Sequence, residues 1–192
     1  MGAGAGAVIP PLAAVAVWVI GWQTPGYDPV RRTVSRLTDP TLPHSLAAKL
    51  TLAALGLSLL AMAWSLDRRL RPGTQLSALP LALAGAALLG LALVGRDPTH
   101  PATLVTHRLI AILLFCALTV APFTVSARLR EDPAFRAYAT LSVATALISL
   151  ALLGVAVAGV IIGGLPSGAW ERTFVGLNLL WVMLVALRLL RT

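Results

Sequence analysis

LAAKLTLAALGLSLLAMAWSL, residues 46 to 66, is the stretch of sequence that decides the fold. Lys49 is its only charged residue, and about 20 mostly apolar residues are enough for a helix to cross the ~30 Å hydrocarbon core of a bilayer. The whole chain has the same character: 58% of its residues are hydrophobic, 11% are charged, and the mean hydropathy is +0.87. Soluble domains carry about 25% charged residues. The sequence therefore predicts an integral membrane protein.

Apolar runs of this kind follow one another along the chain, separated by short connectors. They cover residues 6–22, 46–66, 76–95, 104–127, 137–163 and 170–190. The N-terminal MGAGAGA has no basic residue, so it does not resemble a signal peptide. We predict an all-α membrane protein: a six-transmembrane-helix bundle forming a single integral membrane domain over residues 1–192.

The basic residues lie in the connectors. The formal charge of +8 is therefore not a nucleic-acid footprint, and we expect membrane lipids as partners and no nucleic acid. One side of a six-helix bundle receives eight arginines and the other six, so the positive-inside rule places both termini in the cytoplasm of a cell-membrane protein. The eight are Arg68, Arg69, Arg71, Arg128, Arg130, Arg136, Arg188 and Arg191; the six are Arg31, Arg32, Arg36, Arg96, Arg108 and Arg172.

The predicted outer side also collects most of the other ionisable residues. All three histidines of the chain fall there, with four of the seven acids: Asp28, Asp39, Asp97 and Glu171. Acids contribute little to topology, so this mixture indicates another role. We predict that the three outer connectors converge, with Asp28, Asp97 and Glu171 close together and with arginines between them.

The first outer connector, GYDPVRRTVSRLTDP at residues 26–40, predicts a short interfacial helix after helix one. Asp28-Pro29 is a helix-start signal, because aspartate is a favoured N-cap and proline a favoured first residue. Val30, Val34 and Leu37 then recur at helical spacing and are expected to pack inward. Capping is also the simpler interpretation of Asp97 and Asp132, each followed by proline.

Further polar residues at or inside the predicted spans have structural and functional interpretations. Glu171 can favour the start of helix six, with Ser167 as a candidate N-cap. Asn178, two turns on, can serve interhelical hydrogen bonding or a ligand. His107 lies at a helix start and Lys49 about one turn inside a helix, where charged groups usually face protein or water. We expect Trp181 to face lipid or to be packed, and a position in the lining of a cavity is the alternative.

Three segments resemble a prokaryotic membrane family catalogued as domain of unknown function 998. GYDPVRRTVSRL resembles its Y-x-P-x-R-x-T-x-S-x-L element, GRDPTHPATLVTHRLIA its aspartate followed by H-x-x-x-A, and GAWERTFVGLNLLW its G-x-x-E-R helix start with a later tryptophan. Arg36 stands where the family usually has an acid, and Gly95-Arg96 where it has phenylalanine-proline. The resemblance covers essentially the whole chain and implies a six-helix bundle but no activity.

The leading functional hypothesis is acid–base catalysis on a lipid or isoprenoid, by analogy with membrane-bound terpene cyclases of similar size. A carboxylic acid in an apolar cavity can act as a general acid. The catalytic candidates are Asp28, Asp97 and Glu171, with His107 as an alternative base. The candidates for binding a hydrophobic small molecule are Arg32, Ser35, Arg36, Lys49, Arg172, Asn178 and Trp181.

Two alternatives stay open. The chain can be a non-catalytic membrane binding or assembly protein whose outer cluster is structural. A metal site from His44, His100, His107 and Asp97 is less favoured, because the spacing D-x-x-H-x6-H matches no tight ligand pattern. We expect no cofactor and no metal.

Overall fold

The computed structural model describes residues 2–70 and 75–191. Arg71, one of the arginines used to predict orientation, lies outside the described residues. The described residues form no strand, and their α-helices are α1 (Gly2–Gln23), α2 (Ser45–Arg69), α3 (Leu79–Val94), α4 (Pro101–Glu131), α5 (Arg136–Ile162) and α6 (Ser167–Leu190). Short 3-10 helices cover Val34–Thr38, Gln75–Ala78 and Pro133–Phe135. The all-α prediction is confirmed.

The helices have the length and composition of membrane spans. Five of them, α1, α2, α4, α5 and α6, are long and apolar enough to cross a bilayer, whereas α3 is apolar but has only 16 residues. A chain with several such helices is a multi-pass membrane protein.

The six helices form a closed ring in chain order. Each helix packs against the next one, and α6 returns to α1. Leu59, Leu81, Leu118 and Val182 are among the fully buried side chains at its centre. A Cβ on Gly85 would lie 2.8 Å from the Gly56 carbonyl oxygen, so glycine allows the backbones of α2 and α3 to touch. This is the close approach that small residues permit in membrane helices.

Three connectors lie at one end of the ring, which we call the mouth: residues 24–44, 95–100 and 163–166. The other end, the base, is fixed by Arg128 on α4. Its guanidinium lies 3.1 Å from the Asp67 carboxylate and donates to the Ser77 hydroxyl at 3.1 Å and to the Leu70 carbonyl at 3.2 Å. These contacts join α4 to the end of α2 and to the 3-10 helix that precedes α3.

The predicted interfacial helix is shorter and begins later than the sequence suggested. Asp28 accepts hydrogen bonds from the backbone N–H groups of Val30 and Arg31, at 2.8 and 3.3 Å. This closes a single turn. The chain is then extended at Thr33, and the 3-10 helix starts only at Val34. Leu37 is buried as predicted, but Val30 is 54% exposed, because the turn at Asp28 does not continue into a helix.

Candidate functional site

Arg172, in the first turns of α6, holds the first connector in place. One guanidinium nitrogen donates to the carbonyl oxygens of Pro29 at 2.6 Å and Arg32 at 3.1 Å, and the other to the Tyr27 hydroxyl at 2.5 Å. The fixed fork of donors in arginine suits several acceptors at once. Burial raises the pKa of Tyr27, against the opposing effect of Arg172.

The backbone at the start of α6 contacts the same connector. The Ala169 N–H donates to the Val30 carbonyl at 2.8 Å, which uses one of the donors that a helix start leaves free. Ser167, predicted as the N-cap, instead donates its hydroxyl to the Arg31 carbonyl at 2.8 Å. A Cβ on Gly168 would collide with the Arg32 and Pro29 carbonyl oxygens. Only glycine permits this approach.

The second connector joins the first through Thr38. Its hydroxyl accepts a hydrogen bond from the Arg96 N–H at 2.9 Å. Next to it, the buried Asp39 carboxylate lies 3.9 Å from the Arg36 guanidinium and caps its own Asp-Pro-Thr turn by accepting from the Thr41 N–H and hydroxyl. The first connector therefore contacts both neighbouring elements of the mouth.

A cavity of about 590 Å³, the mouth cavity, lies within these contacts. Connectors, α4 and α6 supply its polar lining. Its apolar wall comes from α3, α4, α5, α6 and the third connector. Its charged and polar side chains are Arg31, Arg32, Thr33, Ser35, Arg36, Arg96, His107, Arg108, Ser167 and Glu171; its apolar ones are Leu91, Ala111, Leu114, Phe115, Ala156, Leu165 and Trp170.

A second cavity of about 230 Å³, the inner cavity, extends into the ring. Its lining is almost entirely apolar and comes from α1, α2, α3, α4 and α6. It shares four lining residues with the mouth cavity, so the two spaces adjoin there: Ser35, Leu91, Leu114 and Glu171.

Glu171 is the acidic residue at the junction of the two cavities. Its side chain is buried, and its Oε2 accepts a hydrogen bond from the Val34 N–H at 2.8 Å. In the described part of the chain Glu171 forms no ion pair, because the guanidinium of the adjacent Arg172 donates its hydrogen bonds to the carbonyl oxygens of the first connector. An acid placed in this way can contact both a polar group in the mouth cavity and an apolar group in the inner one.

His107, near the start of α4, lines the mouth cavity. It is only 3% exposed. The Gly95 carbonyl lies near the ring, but neither ring nitrogen has a well-formed hydrogen bond among the described residues. Buried polar atoms are nearly always hydrogen-bonded, so this ring is a candidate ligand contact.

Asp28 and Asp97 do not line either cavity. Among the described residues no hydrogen bond or ion pair joins either of them to Glu171, so no contact supports the predicted convergence of the three acids. Each aspartate contacts residues of its own connector. The Thr99 hydroxyl and N–H, which donate to the Asp97 carboxylate at 2.6 and 2.9 Å, together with His100, lower the Asp97 pKa to about 2. Backbone hydrogen bonds from Val30 and Arg31 likewise lower the pKa of Asp28. The physical reason is local: in each Asp-Pro turn the aspartate carboxylate accepts hydrogen bonds from residues of its own turn.

Three predicted ligand contacts also lie outside these two cavities. Asn178 donates to the Ser149 hydroxyl at 2.9 Å, and the Trp181 indole donates to the Ser142 hydroxyl at 2.7 Å. Both bonds link α6 to α5, as in the interhelical interpretation of Asn178. Lys49 lies against Gly95. The predicted residues that do line a cavity are Arg32, Ser35, Arg36, His107, Glu171 and Arg172.

Several lining residues were not among the predicted site residues. Arg31, Arg96 and Arg108 were used only to predict orientation, and Trp170 only as the first residue of the last apolar run. The signal that could have found Arg96 and Arg108 is their position beside Asp97 and His107, in one short segment of the second outer element.

The metal alternative has no geometric support. Within residues 2–70 and 75–191, no group of three or more His, Cys, Asp or Glu side chains comes close enough to hold a metal ion. His100 instead hydrogen-bonds to Asp97, 2.7 Å away at the surface.

Comparison with known proteins leaves the site to be interpreted from its own chemistry. No curated protein and no solved structure matches the chain. One family model, described as "Protein of unknown function (DUF998)", matches residues 7–188. Because that match covers nearly the whole chain and includes the mouth, the α6 start and the ring, the protein belongs to the DUF998 family.

Proposed function

We propose that this protein binds a lipid or isoprenoid in the mouth and inner cavities, with Glu171 as the acid that acts on it. One observation carries the proposal: the buried Glu171 carboxyl group stands where the polar cavity meets the apolar one. Ligand pockets are typically apolar spaces of about 300–1,000 Å³ with a few placed polar groups. The mouth cavity is within that range, and the inner cavity adds room for an apolar chain.

The chemistry that suits this position is proton transfer to a carbon–carbon double bond. Glu171 would give its proton to one alkene carbon, forming a C–H bond and leaving a carbocation. Loss of a proton from a neighbouring carbon to the carboxylate would restore the acid and complete an isomerisation or cyclisation. Arg172 and Tyr27 then serve as positioning residues, because they fix the connector that supplies the Val34 N–H.

We also propose six membrane crossings, with both termini in the cytoplasm and the mouth facing outward in the cell membrane. The contacts of α3 support the sixth crossing despite its short length. Before its start, Ser77 accepts hydrogen bonds at the base from Arg128 and Thr124. Its end, Gly95, lies against Lys49 beside the mouth. The segment therefore extends from one end of the ring to the other.

A non-catalytic binding or assembly role is the second candidate. The dense hydrogen bonding of Arg172 to carbonyl oxygens supports it, since those contacts fix loops whether or not a substrate is present. The two roles differ in what Glu171 must do.

The test is native mass spectrometry of the detergent-purified protein. Gly176 lines the inner cavity, and a Cβ there meets nothing within 4 Å, so Gly176→Leu should fill the cavity without a backbone clash. Gly154→Leu, on the exposed face of α5 with equal free space, is the matched control. We expect retained lipid or prenyl compounds in the wild type and Gly154→Leu and their loss in Gly176→Leu. Equal retention in all three would contradict the proposal.

The acid role is tested with Glu171→Gln. The amide keeps the shape and an acceptor for the Val34 N–H but has no acidic proton. Incubation with linear isoprenoids, followed by chromatography, should show isomerised or cyclised product for the wild type only, with ligand retention unchanged in the variant. Retention without product in both proteins would favour the non-catalytic role.

A further inference from the structure

We infer that the mouth cavity is a phosphate site, so that the ligand is a phosphate ester carried on an apolar chain. This rests on the proposed function for the chain and adds the class of head group. The phosphate would contact Arg32, Arg96 and Arg108, with His107 beside them, and the chain would enter the inner cavity past Glu171.

The first argument is charge. The lining of the mouth cavity contains five arginines and one carboxylate, that of Glu171. Arg31 lies 3.7 Å from Asp28, and Arg36 lies 3.9 Å from Asp39. The other three have no carboxylate within ion-pair distance among the described residues, and they are Arg32, Arg96 and Arg108. Cations gathered in one cavity without counter-charges favour an anionic ligand.

The second argument is unmet hydrogen bonding. In the described part of the chain, Arg96 Nη1 is buried without a partner, and neither His107 ring nitrogen has a well-formed hydrogen bond, although the Gly95 carbonyl lies near the ring. A buried donor without an acceptor destabilises the site when no ligand is bound. An anion in the same cavity would supply an acceptor for the Arg96 guanidinium and for the one N–H donor of a neutral His107 ring, and its oxygens can serve several donors at once.

Crowding of the arginines strengthens this argument. Burial lowers the pKa of Arg96, and the neighbouring charges of Arg36 and Arg108 lower it further, partly offset by Asp39. Guanidinium groups that disfavour each other's charge come from the first connector, the second connector and α4. A dianionic group between them would relieve the repulsion. Arginine clusters of this kind suit phosphate because its oxygens accept paired N–H donors.

The apolar part of the lining excludes a free inorganic ion as the preferred ligand. Phe115 and Trp170 pack edge-to-face with ring centroids 5.1 Å apart and form one wall with Leu165. A hydrated phosphate would lose water against that wall without compensation. A phosphate ester places its alkyl end there instead, and the adjoining inner cavity receives the rest of the chain.

The experiment compares farnesyl phosphate, farnesol and inorganic phosphate as probes of the detergent-purified protein, by native mass spectrometry and thermal shift. Arg96→Gln and Arg108→Gln each remove a proposed phosphate contact. Arg130→Gln, an exposed arginine at the base, is the matched control. Arg108 is exposed, so its variant should fold even if Arg96→Gln does not.

We expect the wild type and Arg130→Gln to bind farnesyl phosphate at least about tenfold more tightly than farnesol, a typical effect of one charge-assisted hydrogen bond. Arg96→Gln and Arg108→Gln should lose that preference while farnesol binding stays unchanged. Equal affinity for the two farnesyl probes would overturn the phosphate site and leave the proposed amphiphile binding intact. Inorganic phosphate binding as tightly as farnesyl phosphate would overturn the amphiphile. Binding of none of the probes would count against both.

Discussion

Gly168 shows how one missing side chain can fix a connector. The Ala169 N–H, the Ser167 hydroxyl and the Arg172 guanidinium all donate to carbonyl oxygens of residues 29–32. These bonds require the α6 backbone to approach the connector more closely than any Cβ allows. The hydrogen bond from the Val34 N–H to the Glu171 carboxylate depends on the same close contact between α6 and the connector.

We therefore expect Gly168→Ala to destabilise the protein. Elsewhere in a helix this change should stabilise by up to about 1 kcal/mol, but here the methyl group meets two carbonyl oxygens. Gly176→Ala, in the same helix with open space around its Cβ, is the control. Thermal unfolding in detergent should give a lower midpoint for Gly168→Ala than for Gly176→Ala. A higher midpoint for Gly168→Ala than for Gly176→Ala would show that the connector can move away from the added methyl group at little cost in free energy.

Asp97 predicts a specific acid sensitivity. Its folded pKa of about 2 lies below the ordinary 3.8, so the unfolded state binds more protons between these values. Stability from this group is present above pH 3.8 and is lost as the pH falls towards 2. Asp97→Asn should flatten that part of the curve of unfolding midpoint against pH, and Thr99→Val should do so partly. An unchanged acid slope in both variants would refute the assignment.

At the scale of elements, α5 and α6 are joined by polar side chains inside an apolar interface. The Asn178 amide donates to the Ser149 hydroxyl and to the Phe174 carbonyl, and its Oδ1 has no partner within the described residues. Trp181 makes the neighbouring contact to Ser142, whose hydroxyl in turn donates to the Tyr138 carbonyl. Such bonds fix the rotation of one helix against another.

Asn178→Leu should accordingly lower stability without changing ligand retention. Interhelical hydrogen bonds in membrane proteins contribute about 0.6 kcal/mol on average and up to about 1.7. Removal of the unpartnered oxygen offsets some of the loss, so we expect a decrease in unfolding free energy of at most about 1 kcal/mol. Unfolding measurements check the loss of stability, and native mass spectrometry of the same preparation checks that ligand retention is unchanged. If Asn178→Leu lost its retained ligand while its stability stayed unchanged, Asn178 would be a ligand contact and not a structural residue.

The elements were predictable because apolar length is a direct consequence of the bilayer, and the six runs match the six helices to within a few residues. The orientation of α6 was not. Helical spacing puts Asn178 on the same side as Glu171, but it cannot tell that Asn178 faces α5 while Glu171 faces the cavities. The short helix after α1 was also misplaced, because the Asp28 carboxylate closes a turn that ends before Val34.

At the scale of the whole molecule, the ring explains why the mouth can hold a cavity. Helices that pack in chain order around a closed ring leave space at the centre unless large side chains fill it. Leu59 and Leu118 line the inner cavity, and Val182, Val185 and Leu189 are fully buried further along α6 towards the base. The mouth is lined instead by long side chains that contact the connectors. The same closure makes α3 necessary, since the ring would be open between α2 and α4 without it.

The crossing of α3 is the decisive test of this architecture. Its 16 residues rise about 24 Å, less than the ~30 Å core. A crossing therefore requires the residues around Gly95 and the turn at Gln75–Ala78 to complete the span. In a variant with Cys116→Ala, single cysteines at Arg31, His100, Arg68 and Arg130 report the two ends. We expect a membrane-impermeant thiol reagent added outside intact cells to label positions 31 and 100 and to leave 68 and 130 unlabelled until the membrane is opened.

Because α3 links residue 68 to residue 100, labelling both or neither of these two from outside would mean that α3 does not cross. Labelling of 68 and 130 alone would keep the six crossings but place the mouth in the cytoplasm, against the positive-inside rule.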